Sequence, residues 1–142
     1  MDATLLGVVL ESSVLIAAER RKLTPAQAVE SVQHNVGEVP IVLCALTIAE
    51  IGHGIYRAAT EEMRSRRRAF LDELKATVPI YPVTEATAEL IARIGGAHAA
   101  QGINLPLGDL SIGATAVELG YAVATSNLRD FNRIPGLRVV HL

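Results

Sequence analysis

Short apolar runs alternate along the chain with longer segments in which apolar residues recur at helical spacing. The run at residues 7–10 carries no charge, which is typical of a strand that a parallel sheet buries on both faces. Strands are predicted at residues 7–10, 41–44, 80–83, 121–125 and 137–141. Because Pro79 and Pro82 lack backbone donors, the third strand is predicted to lie at an edge of the sheet.

Helix signals fill most of the intervals between these strands. Ser12 and Ser13 are predicted to cap a helix that runs to about Arg20, and Thr24 with Pro25 predicts a second helix that Gly37 ends. Further helices are predicted at residues 47–58, 60–76, 85–101 and 110–119, and a loop at 126–131. Strands that alternate with helices predict an α/β sandwich around a mainly parallel sheet of about five strands, in one domain over residues 1–142.

Composition excludes several classes of protein. The chain has 142 residues, of which 50% are hydrophobic, and a formal net charge of −2, so it is neither disordered nor a strongly basic nucleic-acid-binding module. Its one cysteine cannot form an intrachain disulfide. No apolar run approaches the roughly 20 residues that span a bilayer, and the first residues lack the basic start of a signal peptide. A cytoplasmic protein without membrane contact is expected.

Four carboxylates fall where the predicted strands end or the following helices begin: Glu11, Glu50, Asp109 and Asp130. In open α/β sheets, ligands bind beyond the carboxyl ends of the strands. Three of the acids also have structural explanations. Glu50 completes a capping box with Thr47, Asp109 suits a helix N-terminus, and Asp130 suits a turn. Neither capping nor turn chemistry accounts well for Glu11.

Several carboxylates at one sheet edge repel one another unless they share protons or bind cations. Carboxylate oxygens suit Mg²⁺ or Mn²⁺, and the corresponding chemistry is phosphodiester hydrolysis. The chain has no glycine-rich phosphate loop and no Gly-x-Ser-x-Gly motif, which disfavours nucleotide binding and a serine nucleophile. The arginines at 64, 66, 67 and 68 form either a solvated helix face or a set of phosphate contacts.

Four segments, residues 8–17, 47–51, 107–116 and 124–131, together resemble the PIN-domain family, specifically the VapC-like toxins of toxin–antitoxin pairs. The resemblance implies a three-layer α/β/α sandwich and an endoribonuclease that uses Mg²⁺ or Mn²⁺ to cleave single-stranded RNA. It also implies a homodimer and a cognate antitoxin protein as a partner.

By this resemblance, Glu11, Glu50 and Asp109 occupy the first three acidic positions and hold the principal metal ion, while Asp130 and Asn127 position a second ion or the attacking water. Thr125 resembles the hydroxyl residue that lines the family's site, and Ser13 is expected either to cap the helix or to hydrogen-bond to Glu11.

Position 11 carries glutamate where the family favours aspartate. The longer side chain moves the carboxylate by up to about 1.5 Å. Position 127 carries an uncharged asparagine. The alternative hypothesis is therefore a catalytically impaired PIN fold that binds protein or RNA.

Overall fold

A computed structural model describes residues 4–142. Its centre is a sheet of five strands, and every pair of neighbouring strands is parallel. The strands are β1 (Val8–Leu10), β2 (Ile41–Cys44), β3 (Ile80–Tyr81), β4 (Ala122–Thr125) and β5 (Val139–His141). Their spatial order is β3-β2-β1-β4-β5. The predicted sheet is confirmed, and β3 lies at an edge because the flanking Pro79 and Pro82 cannot extend a central ladder.

Seven helices connect the strands within the described residues. They are α1 (Ser12–Arg20), α2 (Pro25–Val36), α3 (Ala45–Tyr56), α4 (Glu61–Thr77), α5 (Glu85–Ala99), α6 (Leu107–Leu119) and α7 (Leu128–Phe131). Between residues 4 and 142, none of these helices has the length and apolar character needed to cross a membrane.

The three-layer arrangement follows from β1, whose neighbouring side chains enter different cores. Val8 and Leu10 pack in one cluster with residues of α1 to α4, and Val9 packs in a second cluster with residues of α5 to α7. Side chains alternate between the two faces of a strand, so the clusters cover opposite faces of the sheet. The α/β/α sandwich is therefore confirmed.

The start of α3 differs from the prediction. The helix begins at Ala45, directly after β2, and its N-cap residue Cys44 makes no side-chain capping bond. The predicted Thr47 cap and its capping box with Glu50 are wrong, because the chain passes from strand to helix without a loop. Thr47 is instead fully buried, and its hydroxyl has no hydrogen-bond partner among the described residues. Glu50 is thus free of any capping role.

Three other differences between the predicted and the observed elements affect the position of the candidate site residues. Glu11, rather than either serine, caps α1 by accepting a hydrogen bond from the Ser13 amide. Helix α6 begins at Leu107, three residues earlier than predicted, which places Asp109 in its first turn. The segment predicted as a loop at residues 126–131 contains the short helix α7, which carries Asp130.

Candidate active site

The proposed acids surround the carboxyl end of β1, where the chain connections diverge toward β2 on one side and β4 on the other. Glu11 follows β1 directly, and its amide donates to the carbonyl of Ala124 in β4 at 3.0 Å. Glu50 lies in α3, Asp109 in α6 and Asp130 in α7. This is the position at which open parallel sheets bind their ligands.

Glu11 receives four hydrogen bonds. Its Oε1 accepts from the hydroxyls of Ser13 and Thr125, each at 2.5 Å. Its Oε2 accepts from the Ser12 hydroxyl at 2.8 Å and the Ser13 amide at 2.9 Å. A carboxylate offers about four lone-pair sites, so these donors use its accepting capacity fully. The predicted contact between Ser13 and Glu11 is present, together with a partner in β4.

These bonds keep Glu11 charged in a buried position, where only 7% of the residue is exposed. Burial raises the pKa of Glu11, but the hydrogen bonds from Ser13, Thr125 and Ser12 outweigh it and hold the pKa below its ordinary value. Glu11 is therefore an ionised clasp that joins the end of β1, the start of α1 and the end of β4.

Glu50 has the opposite electrostatic character. Its Oε1 is buried and has no hydrogen-bond partner among residues 4–142. Burial raises the pKa of Glu50, the Ser12 hydroxyl partly opposes this, and the charge of Glu11 raises the pKa further. A carboxylate with an unpaired buried oxygen is costly unless a proton or a cation satisfies it.

Gly108 lets the Glu50 carboxylate approach the start of α6. A Cβ atom at position 108 would lie 3.0 Å from Oε2 of Glu50. Sequence reasoning did not single out Gly108, although the signal was present as a glycine directly before Asp109 at a helix start. The glycine thus brings two carboxylates from different helices together.

Asp109 shows most directly that the acids converge. Its pKa is raised to about 7, first by burial, then by a hydrogen bond and the charge of Asp130, and then by the charges of Glu11 and Glu50. Asp130 also lies 3.9 Å from Arg133, measured from Oδ1 to Nη1. The structure therefore gathers the four carboxylates that the sequence singled out.

Asn127 and Thr125 occupy different depths at this edge. Thr125 is fully buried against Glu11, whereas Asn127 is exposed at the start of α7. The backbone N–H of Asn127 donates a hydrogen bond to the Thr125 hydroxyl, with an N···O distance of 2.9 Å. The Asn127 side chain makes no hydrogen bond to any residue in the described part of the chain, so its predicted role in placing water stays a prediction.

A divalent cation fits this donor set chemically. Among residues 4–142, no group of three or more acidic, histidine or cysteine side chains is arranged so that it could hold a metal ion. The unpaired oxygen of Glu50 and the raised pKa of Asp109 nevertheless both mark negative charge that the protein leaves uncompensated. Hard carboxylate oxygens are the ligands that Mg²⁺ and Mn²⁺ prefer.

A parallel sheet with acids at the carboxyl end of its central strand defines a class of protein, and comparison with known families identifies that class. The PIN domain family model matches residues 8–137, and the chain belongs to this family. The chain is 33% identical to Ribonuclease VapC1 of Rickettsia felis over 135 residues, covering 95% of this chain and 96% of that protein. The family resemblance inferred from the sequence is thus confirmed.

Solved structures of related complexes share the fold. VapBC2 from Rickettsia felis, bound to a DNA fragment from its promoter, superposes with a TM-score of 0.81 at 16% identity, covering 96% of this chain and 98% of that one. VapBC-5, a toxin–antitoxin system from Mycobacterium tuberculosis, gives a TM-score of 0.73 at 25% identity, with coverages of 96% and 99%.

Proposed function

We propose that this protein is a metal-dependent endoribonuclease that cleaves single-stranded RNA and serves as the toxin of a toxin–antitoxin pair. The observation that carries the proposal is the convergence of four carboxylates that raises the pKa of Asp109 to about 7. The names of the VapC relatives and the VapBC complexes support a ribonuclease with an antitoxin partner. A homodimer acting in the cytoplasm belongs to the same proposal.

In this proposal, Glu50, Asp109 and Asp130 would hold Mg²⁺ or Mn²⁺, with Glu11 as the fourth acid of the predicted set. The bound ion would activate water and stabilise charge on the phosphate. Burial and the charge of Asp130 raise the pKa of Asp109 to about 7, and positive charge at the site would favour the ionised form of Asp109. Arg133 holds Asp130 from outside the site, and Asn127 faces solvent where its amide can orient water.

Removing divalent cations is expected to abolish RNA cleavage. Without a cation the four acids repel the phosphate backbone, so a chelator should eliminate cleavage of a single-stranded RNA, and excess Mg²⁺ or Mn²⁺ should restore it. The measurement is gel analysis of an end-labelled RNA, with the same sequence in a duplex as the comparison. Undiminished cleavage in the chelator would contradict the proposed metal dependence.

Gly108→Ala is expected to weaken metal binding without weakening the fold. Alanine favours a helix over glycine by roughly 0.5–1 kcal/mol, but its Cβ would press on Oε2 of Glu50 and displace that carboxylate. Disturbed ligand support lowers metal affinity by about tenfold or more. Calorimetric titration with Mn²⁺ measures the affinity, and a thermal melt measures stability.

The matched control is Gly96→Ala in α5, where a new Cβ would meet no atom within 4 Å. This variant should bind Mn²⁺ as the wild type does. Equal Mn²⁺ affinity for wild type and Gly108→Ala would contradict the expected displacement of a metal-binding carboxylate at Glu50.

One observation favours the second candidate, an impaired PIN fold that binds protein or RNA. The carboxylate of Glu11 already accepts four hydrogen bonds and would have to release at least one to bind a cation. Calorimetry separates the two functions: absence of Mn²⁺ binding at millimolar concentration, with partner binding retained, would favour the binding module. Higher activity in Glu11→Asp would instead identify an attenuated enzyme.

A further inference from the structure

A cationic cleft adjoins the acidic site and shares Glu50 with it. The cleft has a volume of about 490 Å³ and is lined by Arg20, Glu50, His53, Gly54, Arg57 and Arg67. Three arginines therefore face one carboxylate. A smaller cavity beside it shares Arg20, Glu50, Gly54 and Arg67 and is also lined by Glu19, Ile16 and Ile51, so the depression continues between α1, α3 and α4 while its basic character is confined to the larger cleft.

The guanidinium groups in this cleft remain available to a ligand. Among residues 4–142, the side chains of Arg20 and Arg57 have no hydrogen-bond or ion-pair partner, and both residues are exposed. Arg67 uses Nη1 to donate to the Gly54 carbonyl at 2.7 Å, which fixes the side chain at the wall of the cleft.

The neighbouring arginines of α4 behave differently. Arg64, Arg66 and Arg68 form ion pairs with Glu61, Glu19 and Asp72, respectively. Intramolecular partners thus compensate three members of the arginine cluster, whereas Arg67 points into the cleft. The sequence left open whether this cluster was a solvated face or a set of phosphate contacts. Arg64, Arg66 and Arg68 fit the first alternative, and Arg67 is placed for the second.

We infer that this cleft is a phosphate subsite that holds the RNA backbone next to the proposed scissile position. Guanidinium groups recognise phosphate through paired hydrogen bonds, and they supply the positive charge that the acidic site lacks. Glu50 lines the cleft and belongs to the acidic site, so a chain crossing the acids places a neighbouring phosphate against Arg20 and Arg57. The choice of RNA as the polyanion rests on the proposed function.

The test is RNA binding measured without cleavage. A short fluorescein-labelled single-stranded RNA is titrated by fluorescence anisotropy in a chelating buffer at several salt concentrations. Arg20→Gln and Arg57→Gln should each weaken binding about fivefold to tenfold at low salt, because each loses a charged contact to phosphate. Each should also reduce the slope of log affinity against log salt by about 0.7, the value for one phosphate contact on a single strand.

Arg93→Gln is the matched control, because Arg93 is an exposed arginine on α5, against the opposite face of the sheet. It should leave both the affinity and the salt slope unchanged. Thermal melts of all three variants verify that each is folded.

The outcomes separate this inference from the proposed function. RNA affinity equal to wild type in both Arg20→Gln and Arg57→Gln overturns the subsite, even if metal-dependent cleavage is observed. Arginine-dependent RNA binding by a protein that never cleaves RNA supports the subsite and refutes the nuclease. Inorganic phosphate is the second probe. If phosphate alone binds in the cleft while both variants keep the RNA affinity of the wild type, the cleft is an anion site without RNA recognition, and the inference is also overturned.

Discussion

Asp109→Asn is expected to reduce cleavage of single-stranded RNA in Mg²⁺ by about 10³-fold or more. Asparagine keeps the shape of the side chain but removes one of the charges that would hold the cation, and a bound metal supplies several kcal/mol of transition-state stabilisation. The measurement is the initial rate of cleavage under single-turnover conditions.

The same substitution is expected to stabilise the metal-free protein at neutral and higher pH. The pKa of Asp109 rises from its ordinary value of 3.8 to about 7 in the folded state, so ionisation opposes folding. This carboxyl group therefore costs no stability below about pH 4, and its cost grows as pH rises through 7. Because the group is partly exposed, the gain in Asp109→Asn should be on the order of 1–2 kcal/mol at pH 8.

The control for both effects is Asp72→Asn, the same chemical change on the exposed surface of α4. Its ion pair with Arg68 spans 3.6 Å in solvent and contributes little to stability. Cleavage and melting temperature should therefore stay at wild-type values. Equal cleavage by wild type and Asp109→Asn would remove the basis for the proposed mechanism.

Glu11→Ala is expected to destabilise the protein by about 3 kcal/mol, which corresponds to a melting temperature lower by about 10 °C. The substitution leaves the hydroxyls of Ser12, Ser13 and Thr125 and the Ser13 amide without their acceptor. It also removes the cap of α1 and the clasp between β1 and β4. Chemical denaturation measures the free energy of unfolding.

The pH dependence distinguishes the ionised clasp from simple packing. Because the folded protein holds the pKa of Glu11 below 4.5, its stabilisation is fully present above that pH and is lost as pH falls through the lowered pKa. The stability difference between wild type and Glu11→Ala should therefore shrink in acid. Glu30→Ala, on the exposed surface of α2, should change stability by less than about 0.5 kcal/mol at any pH. A Glu11→Ala deficit independent of pH would contradict an ionised clasp.

Much of the fold was predictable because local chemistry and global structure agree. The buried run of β2 and the cap formed by Thr24 with Pro25 stand where the sequence predicts them. The capping box at Thr47 failed because tertiary structure overrode a local signal: burial of β2 runs on into α3, and the threonine lies inside the helix. A pattern of residue types cannot reveal that two elements join without a loop.

The acids of the candidate site were predictable as a set, but their individual environments were not. Position along parallel strands places Glu11 and Asp130 at one sheet edge. Whether a carboxylate is saturated, as at Glu11, or unpaired, as at Glu50, depends on hydroxyls that lie up to 114 residues away. The same holds for the cleft, because Arg57 follows the end of α3 whereas Arg67 lies within α4, and the two become neighbours only in the folded chain.

The hydrogen bond between Glu11 and Thr125 also determines when the candidate site can form during synthesis of the chain. It joins residues 114 positions apart, and β1 cannot pair with β4 until the ribosome has made residue 125. At the usual rate of synthesis, that interval lasts roughly 6 to 23 seconds. During this time Glu11, which follows β1, and Glu50 in α3 lack the carboxylates of α6 and α7. A growing chain with the proposed activity is consequently harmless to RNA, its own messenger included, until translation is nearly complete.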